Sequence, residues 1–369
     1  MKVQRLVPLL VILILLIQII PASAATQYRY VMTCTFENKG TTTETLTRDD
    51  ISIPLFIDNK WQKIKISSAT PPLGVEYNDD DGNRLAEAGI PLNLAAGAKQ
   101  SYKITYEIEA SEKTKPQLEI AKAGKPSDIP SNLVSEYTGS TQTFMANNTE
   151  IATLAKSLTD SEPTVLGKLT RLVNWFYSNI MYDNAENPRF PDETLKIKKG
   201  DCDDQSILLI SMLRSLGIPS YLEIGVFFNS GINGQDTSWQ GHLDISQNGI
   251  GWHGWAIVYV PPYGWIPVDL TLVKDKDPLM MLRNAPEYGA SVVTVFKVSN
   301  QEYTTLSKET RERFVASNVY VSMTDAAETL QATSWVNPTM LVLGATLLVA
   351  IILMFYTARR APLIAKHTI

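Results

Sequence analysis

The chain has 369 residues, of which 44% are hydrophobic and 19% charged, and its formal net charge is −5. This composition excludes a disordered chain and a membrane protein built from many spans, and the charge does not indicate nucleic-acid binding. The length predicts two domains with additional segments. With two cysteines and three histidines, the sequence also excludes a disulfide scaffold and a Cys-rich or His-rich metal cluster, and we expect no cofactor or metal.

The first 24 residues have the pattern of a secretory signal peptide. Two basic residues precede an apolar run over residues 6–20, and small residues follow that run, so cleavage is expected after Ala24. A retained N-terminal anchor is the alternative, but the run is short for a membrane span and contains a proline.

Residues 335–356 predict one transmembrane helix. They carry no charge, and at 1.5 Å per residue they reach about 33 Å, which is enough to cross a bilayer. Basic residues follow in 357–369, which indicates a cytoplasmic tail. A buried C-terminal helix is the alternative, although such a helix normally has a polar stripe. The sequence therefore predicts a single-pass protein of the cell membrane, with residues 25–334 outside the cell.

Residues 25–110 predict an all-β sandwich. Apolar and polar residues alternate over residues 28–37 and 102–109, and clusters of turn-forming residues separate such runs. The acidic cluster at residues 78–83 has oxygen ligands for calcium, but it lacks the spacing of a dedicated loop, and a hairpin turn is the preferred interpretation. Residues 111–135, rich in Lys, Pro, Ser and Gly, predict a linker.

A candidate nucleophile lies in residues 198–228, which read KKGDCDDQSILLISMLRSLGIPSYLEIGVFF. The pattern predicts a turn, a helix over about 203–216 and then a strand, so Cys202 lies at the start of a helix. There the helix dipole and the free N–H groups stabilise a thiolate, and the same N–H groups can donate to an oxyanion. The helix is apolar nearly all round, which predicts that it is central and buried.

A thiolate nucleophile needs a base, which is most often a histidine. The histidine in the predicted cytoplasmic tail cannot reach Cys202. The remaining candidates for the base are His253 and, as an alternative, His242, which follows a loop rich in Gly, Asn and Ser. His253 begins one predicted strand and Asp269 ends the next. The side chains of His253 and Asp269 lie on the same face of the sheet only if the loop between the strands has an odd number of residues or a bulge intervenes. We therefore predict an odd loop or a bulge. A five-residue loop over 260–264 would place Asp269 diagonal to His253.

The motifs GDCDDQS, SMLRSLGIPS, HGW and GWIPVDLT occur in that order and resemble the transglutaminase-like superfamily over about residues 145–275. The resemblance implies a papain-like arrangement in which Cys202 is the nucleophile, His253 the general base and Asp269 the residue that orients the histidine. Gly254 departs from the family pattern, because alanine is more usual between the histidine and the tryptophan.

The predicted fold is an α+β transglutaminase-like domain over residues 136–285, with a central helix packed on an antiparallel sheet. An all-β sandwich precedes this domain, and a C-terminal extension over 286–334 and the transmembrane helix follow it. Within the extension, the pattern predicts strands at 292–298 and 318–322 and a helix over 306–316.

We expect a cell-surface thiol enzyme that forms an acyl-enzyme at Cys202 on protein or peptide amides. We favour transfer of the acyl group to water, as a peptidase or amidase, because nothing in the sequence marks a second substrate site. Transfer to amines, which would cross-link proteins, and a non-catalytic adhesion or assembly module are the alternatives. Cys34 lies on the apolar face of a strand and is expected to be an inert core thiol, whereas a Cys34–Cys202 disulfide would block the nucleophile.

Overall fold

The computed structural model describes residues 25–330, except Lys274 and Lys276. The predicted architecture ended in one transmembrane helix, and this part of the fold prediction is corrected. No helix within the described residues is long and apolar enough to cross a membrane. The segment to which that helix was assigned, residues 335–356, lies outside the described residues, as do the predicted signal peptide and tail.

The described chain is a mixed α/β fold. Its helices are α1 (Ser131–Tyr137), α2 (Thr149–Thr159), α3 (Val165–Asn179), α4 (Pro191–Ile197), α5 (Cys202–Ser215), α6 (Pro278–Arg283) and α7 (Tyr303–Val315). Its strands are β1 (Thr26–Asn38), β2 (Glu44–Thr45), β3 (Ser52–Pro54), β4 (Gln62–Thr70), β5 (Glu76–Asn78), β6 (Arg84–Glu87), β7 (Asn93–Leu94), β8 (Lys99–Ala110), β9 (Met181–Tyr182), β10 (Lys199–Gly200), β11 (Ser220–Ser238), β12 (Leu243–Val260), β13 (Gly264–Val268), β14 (Val292–Val298) and β15 (Val319–Leu330).

One eight-stranded sheet runs through most of the fold in the order β14-β11-β12-β15-β1-β8-β4, with β13 paired to β12. The all-β sandwich that we predicted before the catalytic domain is therefore not a separate pair of stacked sheets. Its strands β1, β8 and β4 continue the sheet that contains β11 and β12, because β1 pairs along its length with β15 from the other end of the described chain. The short sheets β2-β7 and β3-β6-β5 cover this half.

The predicted strand alternation is confirmed, because β1 and β8 bury every second residue. The buried faces of these strands pack under the short sheets in one apolar cluster, while the opposite side chains are more exposed. In the C-terminal extension, the strands β14 and β15 and the helix α7 are also found where the pattern predicted them.

Helix α5 is the centre of the second apolar cluster. The predicted helix is confirmed to within about a residue, and its side chains from Asp204 to Arg214 are all buried. It packs against β11 and β12 on one side and against α2, α3 and α4 on the other. Asp201 caps the helix by accepting the N–H of Asp204. A buried and capped helix holds its first residue, Cys202, in a defined position.

The acidic cluster at residues 78–83 forms the hairpin turn between β5 and β6. Oδ1 of Asp79 accepts the backbone N–H groups of Asp81 and Asn83 at 3.0 and 2.8 Å. Asp81 is buried and accepts the backbone N–H groups of Ser299 and Asn300 at 2.8 and 2.9 Å. The carboxylates thus stabilise the turn and attach it to the segment that follows β14.

Asp81→Ala is expected to lower the free energy of unfolding by about 2 to 3 kcal/mol, because the buried N–H of Ser299 and the part-buried N–H of Asn300 lose a charged acceptor. Urea denaturation measures the change. Asp80→Ala, in the same turn but exposed, is the matched control and should change stability by no more than about 0.5 kcal/mol. Equal effects of the two substitutions would show that the buried contacts of Asp81 are not the cause.

Candidate functional site

Cys202 is the first residue of α5, and its side chain is partly exposed. Within the described residues neither its own backbone N–H nor that of Asp203 donates to another backbone or side-chain oxygen. The N–H groups of Asp203 and Gly254 act on the sulfur and favour the thiolate. Both cysteines are free, so the alternative of a Cys34–Cys202 disulfide is wrong in this structure.

His253 and Asp269 form a direct, buried hydrogen bond. Nε2 of His253 lies 2.8 Å from Oδ2 of Asp269, and the two side chains are 3% and 1% exposed. The other carboxylate oxygen, Oδ1, accepts the N–H groups of Thr271 and Leu272 at 2.7 and 2.9 Å. Because Nε2 donates to the carboxylate, Nδ1 is the ring nitrogen left to take a proton from the thiol.

The connection between β12 and β13 explains how these residues meet. Val260 pairs with Gly264 and Ala256 pairs with Val268. Three residues, an odd number, therefore connect the two strands. The predicted odd connection is therefore confirmed. Continued along the strands, this register puts His253 on the same face as Asp269 and diagonal to it.

The pKa of Asp269 reflects these contacts. Burial raises the pKa of this carboxyl, but the hydrogen bond and charge of His253, together with the N–H groups of Leu272 and Thr271, outweigh burial and hold the pKa below its usual range. Asp269 therefore carries a negative charge at neutral pH. That charge fixes the tautomer of His253 in which Nε2 bears the proton.

The Cys202 thiol differs from our expectation of a stabilised thiolate. Burial raises its pKa, the charges of Asp203 and Asp201 raise it further, and the N–H groups of Gly254 and Asp203 offset only part of this rise. The helix start does not stabilise a thiolate, because burial and then the charges of the two flanking carboxyl groups outweigh the N–H groups. Cys202 is therefore a neutral thiol at rest, and within the described residues no hydrogen bond joins its sulfur to the imidazole of His253.

The three aspartates beside Cys202 are structural groups. Burial, followed by the charge of Asp203, raises the pKa of Asp201 to about 8, so this pair shares a proton near neutral pH. Asp203 accepts the hydroxyl of Tyr303 in α7 at 3.1 Å. Asp204 accepts the backbone N–H and a guanidinium N–H of Arg189 at 2.6 and 2.7 Å. The aspartates thus attach α7 and the chain before α4 to the start of α5.

Gly254 is the point of closest approach between β12 and the start of α5. A Cβ built on Gly254 would lie 3.0 Å from Cβ of Asp203 and 3.0 Å from Cδ1 of Ile224. A glycine at this position therefore lets the strand pack directly on the helix. This contact explains why the chain departs from the more usual alanine.

His242, the alternative base, is held by other contacts. Its Nδ1 lies 2.9 Å from the carbonyl oxygen of Val319, and its ring stacks on Tyr320 at 4.2 Å between centroids. Both partners belong to β15. The structure therefore gives His242 a role in attaching β15.

Sequence reasoning missed Glu287, which lies behind the His253–Asp269 pair. Its carboxyl is completely buried, and Oε1 lies 4.0 Å from Nε2 of His253. Glu287 belongs to a short turn, Pro286–Tyr288, that precedes β14. A single glutamate in the sequence Pro-Glu-Tyr has the pattern of an exposed turn, so no local signal could have identified it.

Two groups of side chains have donor atoms within 4.8 Å of one another, as a metal site would require: Asp201, Cys202 and Asp203, and His253, Asp269 and Glu287. In the first group, Asp203 already accepts a hydroxyl. In the second group, the imidazole and the aspartate already bond to each other.

Residues 152–270 match the family model of the transglutaminase-like superfamily. The chain carries a transglutaminase-like domain. This match confirms the family resemblance that the four motifs predicted. The transglutaminase-like domain contains Cys202, His253 and Asp269, whose catalytic roles stay predictions.

Among curated proteins, the transglutaminase-like region is similar to the uncharacterized protein YebA of Bacillus subtilis. The two are 28% identical over 130 residues, which cover 33% of this chain and 17% of YebA. The chain thus matches a small part of that longer relative.

Among solved structures, the fold is similar to that of a candidate cysteine protease from Cytophaga hutchinsonii. The match has a TM-score of 0.52 and 16% identity, and it covers 83% of this chain and 91% of that one. At this identity the similarity concerns the fold. The periplasmic domain of TgpA from Pseudomonas aeruginosa matches at a TM-score of 0.34 and 13% identity, over 72% of this chain and 93% of that one, and this match carries no argument.

Asp203→Asn is expected to increase the rate at which iodoacetamide alkylates Cys202 at pH 7. Removal of the flanking charge lowers the thiol pKa, and a shift of about one unit gives about tenfold more thiolate. The rate is measured by mass spectrometry across pH. Cys34 will not interfere, because it is buried in the apolar core and mass spectrometry assigns alkylation to each cysteine peptide separately.

The matched control is Asp192→Asn, which removes an exposed aspartate from the first turn of α4. This substitution should leave the alkylation rate of Cys202 unchanged. If Asp203→Asn also leaves the rate unchanged, flanking charge does not set the resting state of the thiol.

Proposed function

We propose that the protein is a thiol hydrolase that forms an acyl-enzyme at Cys202 on protein or peptide amides. The observation that carries this proposal is the 2.8 Å bond between His253 Nε2 and Asp269, on a strand whose next residue, Gly254, packs against Asp203 at the start of α5. The transglutaminase-like fold supports it. The description of the Cytophaga hutchinsonii protein as a candidate cysteine protease agrees with it.

In the proposed reaction, the sulfur of Cys202 attacks the amide carbonyl carbon while its proton passes to Nδ1 of His253. Proton transfer accompanies attack because the resting thiol is neutral. The free N–H groups at the first turn of α5 donate to the oxyanion that forms. The C–N bond then breaks, and the amine leaves with the proton from the imidazolium.

Hydrolysis of the thioester completes the cycle. His253 takes a proton from water, the resulting hydroxide attacks the thioester carbonyl, and the C–S bond breaks. The carboxylic acid is released and the proton returns to Cys202. Asp269 keeps its negative charge throughout and stabilises the imidazolium in both halves of the reaction. We propose water as the acceptor because water requires no second binding site, whereas an amine does.

A cavity of about 280 Å³ lies beside the site and supports a peptide substrate. Its lining includes Gln205, one turn along α5 from Cys202, and Leu270 and Thr271, which follow Asp269 directly. Tyr182 also lines it, and burial is the main cause of the raised pKa of this tyrosine. The cavity combines aromatic and amide groups, as a pocket for a peptide side chain would.

We further propose that the protein acts outside the cytoplasm, on the basis of the signal-peptide pattern in residues 1–24. This location would expose the site to secreted or cell-surface proteins. It would also be a compartment in which free thiols become oxidised, so the burial that keeps Cys202 neutral would protect it.

Labelled glutamine-containing peptides and peptide amides, incubated with and without an added primary amine, test the proposal. The free acid is expected in both arms, measured by mass spectrometry. Cys202→Ala should abolish its formation, and His253→Ala should slow it by at least about a hundredfold, because proton transfer then has no base. Exclusive formation of the amine adduct would replace hydrolysis by acyl transfer.

Cys34→Ala is the matched control, because it removes the other thiol and should leave the rate unchanged. If Cys202→Ala keeps the wild-type rate, the activity belongs to another group or to a contaminant. Binding of peptides without any turnover would support the non-catalytic module instead.

A further inference from the structure

Glu287 is the one strongly buried acid that contacts the candidate catalytic pair from behind and has no part in the reaction as written. Its side chain is 0% exposed, and Oε1 lies 4.0 Å from Nε2 of His253. Donor atoms of His253, Asp269 and Glu287 all lie within 4.8 Å of one another. Among the described residues, no N–H or O–H group donates to either carboxyl oxygen of Glu287, and the side chain of Asp269 is its hydrogen-bonding neighbour.

Backbone hydrogen bonds hold the turn that contains Glu287. The turn Pro286–Tyr288 is closed by the N–H of Gly289, which donates to the carbonyl oxygen of Pro286 at 2.8 Å. The N–H of Lys113 donates to the carbonyl oxygen of Tyr288 at 2.8 Å. Strand β14 then follows and pairs with β11. The carboxyl is therefore held against the catalytic pair by a turn that is itself attached to the sheet.

The charges around Glu287 favour its neutral form. Burial raises its pKa, and the negative charge of Asp269 raises it further, while the charge of Lys113 offsets a smaller part. Tyr288, the remaining titratable neighbour, has a raised pKa as well and stays uncharged. Asp269 is the carboxyl that ionises, because it already accepts bonds from His253, Thr271 and Leu272. A second buried negative charge beside it would be uncompensated.

We propose that Glu287 is a positioning residue whose uncharged carboxyl donates its proton toward Asp269 and so holds the aspartate, and through it His253, in the orientation that leaves Nδ1 free for Cys202. This inference rests on the proposed function of the site. It assigns Glu287 no contact with substrate and no step in proton transfer.

The physical reason is that a neutral O–H group stabilises the carboxylate without adding charge. Without the O–H of Glu287, Oδ2 of Asp269 is held by the imidazole alone, so the carboxylate and the ring can reorient together and the second tautomer becomes accessible. If Glu287 were instead ionised, two carboxylates would compete for the proton of Nε2. A protonated glutamate removes that competition. The arrangement therefore keeps one negative charge, one acceptor for Nε2 and one histidine tautomer.

Two substitutions distinguish three possible roles of the Glu287 side chain: a neutral hydrogen-bond donor, a charged group, or a side chain that only fills space. Glu287→Gln keeps the shape, the neutrality and an N–H donor, so kcat and KM should stay within about twofold of wild type. Glu287→Leu keeps approximate volume but removes the donor, so kcat should fall about tenfold, equivalent to a one-unit change in proton affinity, with KM unchanged. The reaction is the peptide hydrolysis described above.

Thermal unfolding separates positioning from stability. Glu287→Leu removes one hydrogen bond to Asp269 but also the cost of burying a carboxyl, and Asp269 keeps its other hydrogen-bond partners, so the melting temperature should stay close to that of wild type. A purely structural role predicts the opposite, because activity and melting temperature would then fall together. Tyr288→Phe is the matched control, since it removes from the same turn a buried hydroxyl that has no hydrogen-bond partner among the described residues and should change neither kcat nor the histidine signals.

A spectroscopic measurement tests the inference without any turnover. The imidazole ¹⁵N signals of His253 are recorded in histidine-labelled protein and assigned by their loss in His253→Ala. Wild type and Glu287→Gln should show the tautomer protonated at Nε2, whereas Glu287→Leu should show a mixture of both tautomers. The sequence has three histidines, so the signals can be separated.

The outcomes are distinct. Wild-type behaviour of Glu287→Gln with a mixed tautomer and reduced kcat in Glu287→Leu supports the inference. An equal loss of kcat in both variants would mean that Glu287 acts as a charged group. Wild-type imidazole signals in both variants would mean that Glu287 does not position the His253–Asp269 pair. Either result overturns the inference. If no substrate is turned over, the proposed hydrolase function fails, and the tautomer of His253 still decides the role of Glu287.

Discussion

The close packing of β12 on the first turn of α5 is the constraint on which the site depends. Gly254 allows this approach, since even one added carbon would press on Asp203 and Ile224. The residue before Gly254 is His253, and the residue before Asp203 is Cys202. The main chain of two rigid elements therefore positions Cys202 and His253, the candidate nucleophile and base. The buried, capped helix and the paired strand then prevent the contact from relaxing.

The same burial that orders the site also limits the charge that it can hold. Asp269 ionises because it accepts several hydrogen bonds, while Glu287 behind it stays neutral. On the other side, burial and then the charges of Asp203 and Asp201 raise the pKa of Cys202 and keep it in the thiol form. A neutral thiol is unreactive until a substrate carbonyl and the imidazole are both in place. For the proposed reaction, these electrostatics favour a Cys202 thiol that loses its proton as it attacks the substrate over a permanently ionised thiolate.

The parts of the fold outside the transglutaminase-like domain contribute to the site through the shared sheet. Strand β1 connects β15 to β8, and β15 pairs in parallel with the beginning of β12. The segment after β14 is attached to the β5–β6 turn through Asp81. Helix α7 reaches the start of α5 through Tyr303 and Asp203. Segments at both ends of the described chain therefore support the strand that carries His253.

The sequence by itself determined the local features: the helix that begins at Cys202, the alternation of β1 and β8, and the odd connection that puts His253 and Asp269 on one face. These follow from residue periodicity, capping and loop length, which act over a few residues. Only the tertiary structure decided that β1 joins β15, that Glu287 lies behind His253, and that Cys202 is neutral. Strand pairing between chain ends, burial and the charges that meet in a buried site depend on residues far apart in sequence, and no local pattern contains them.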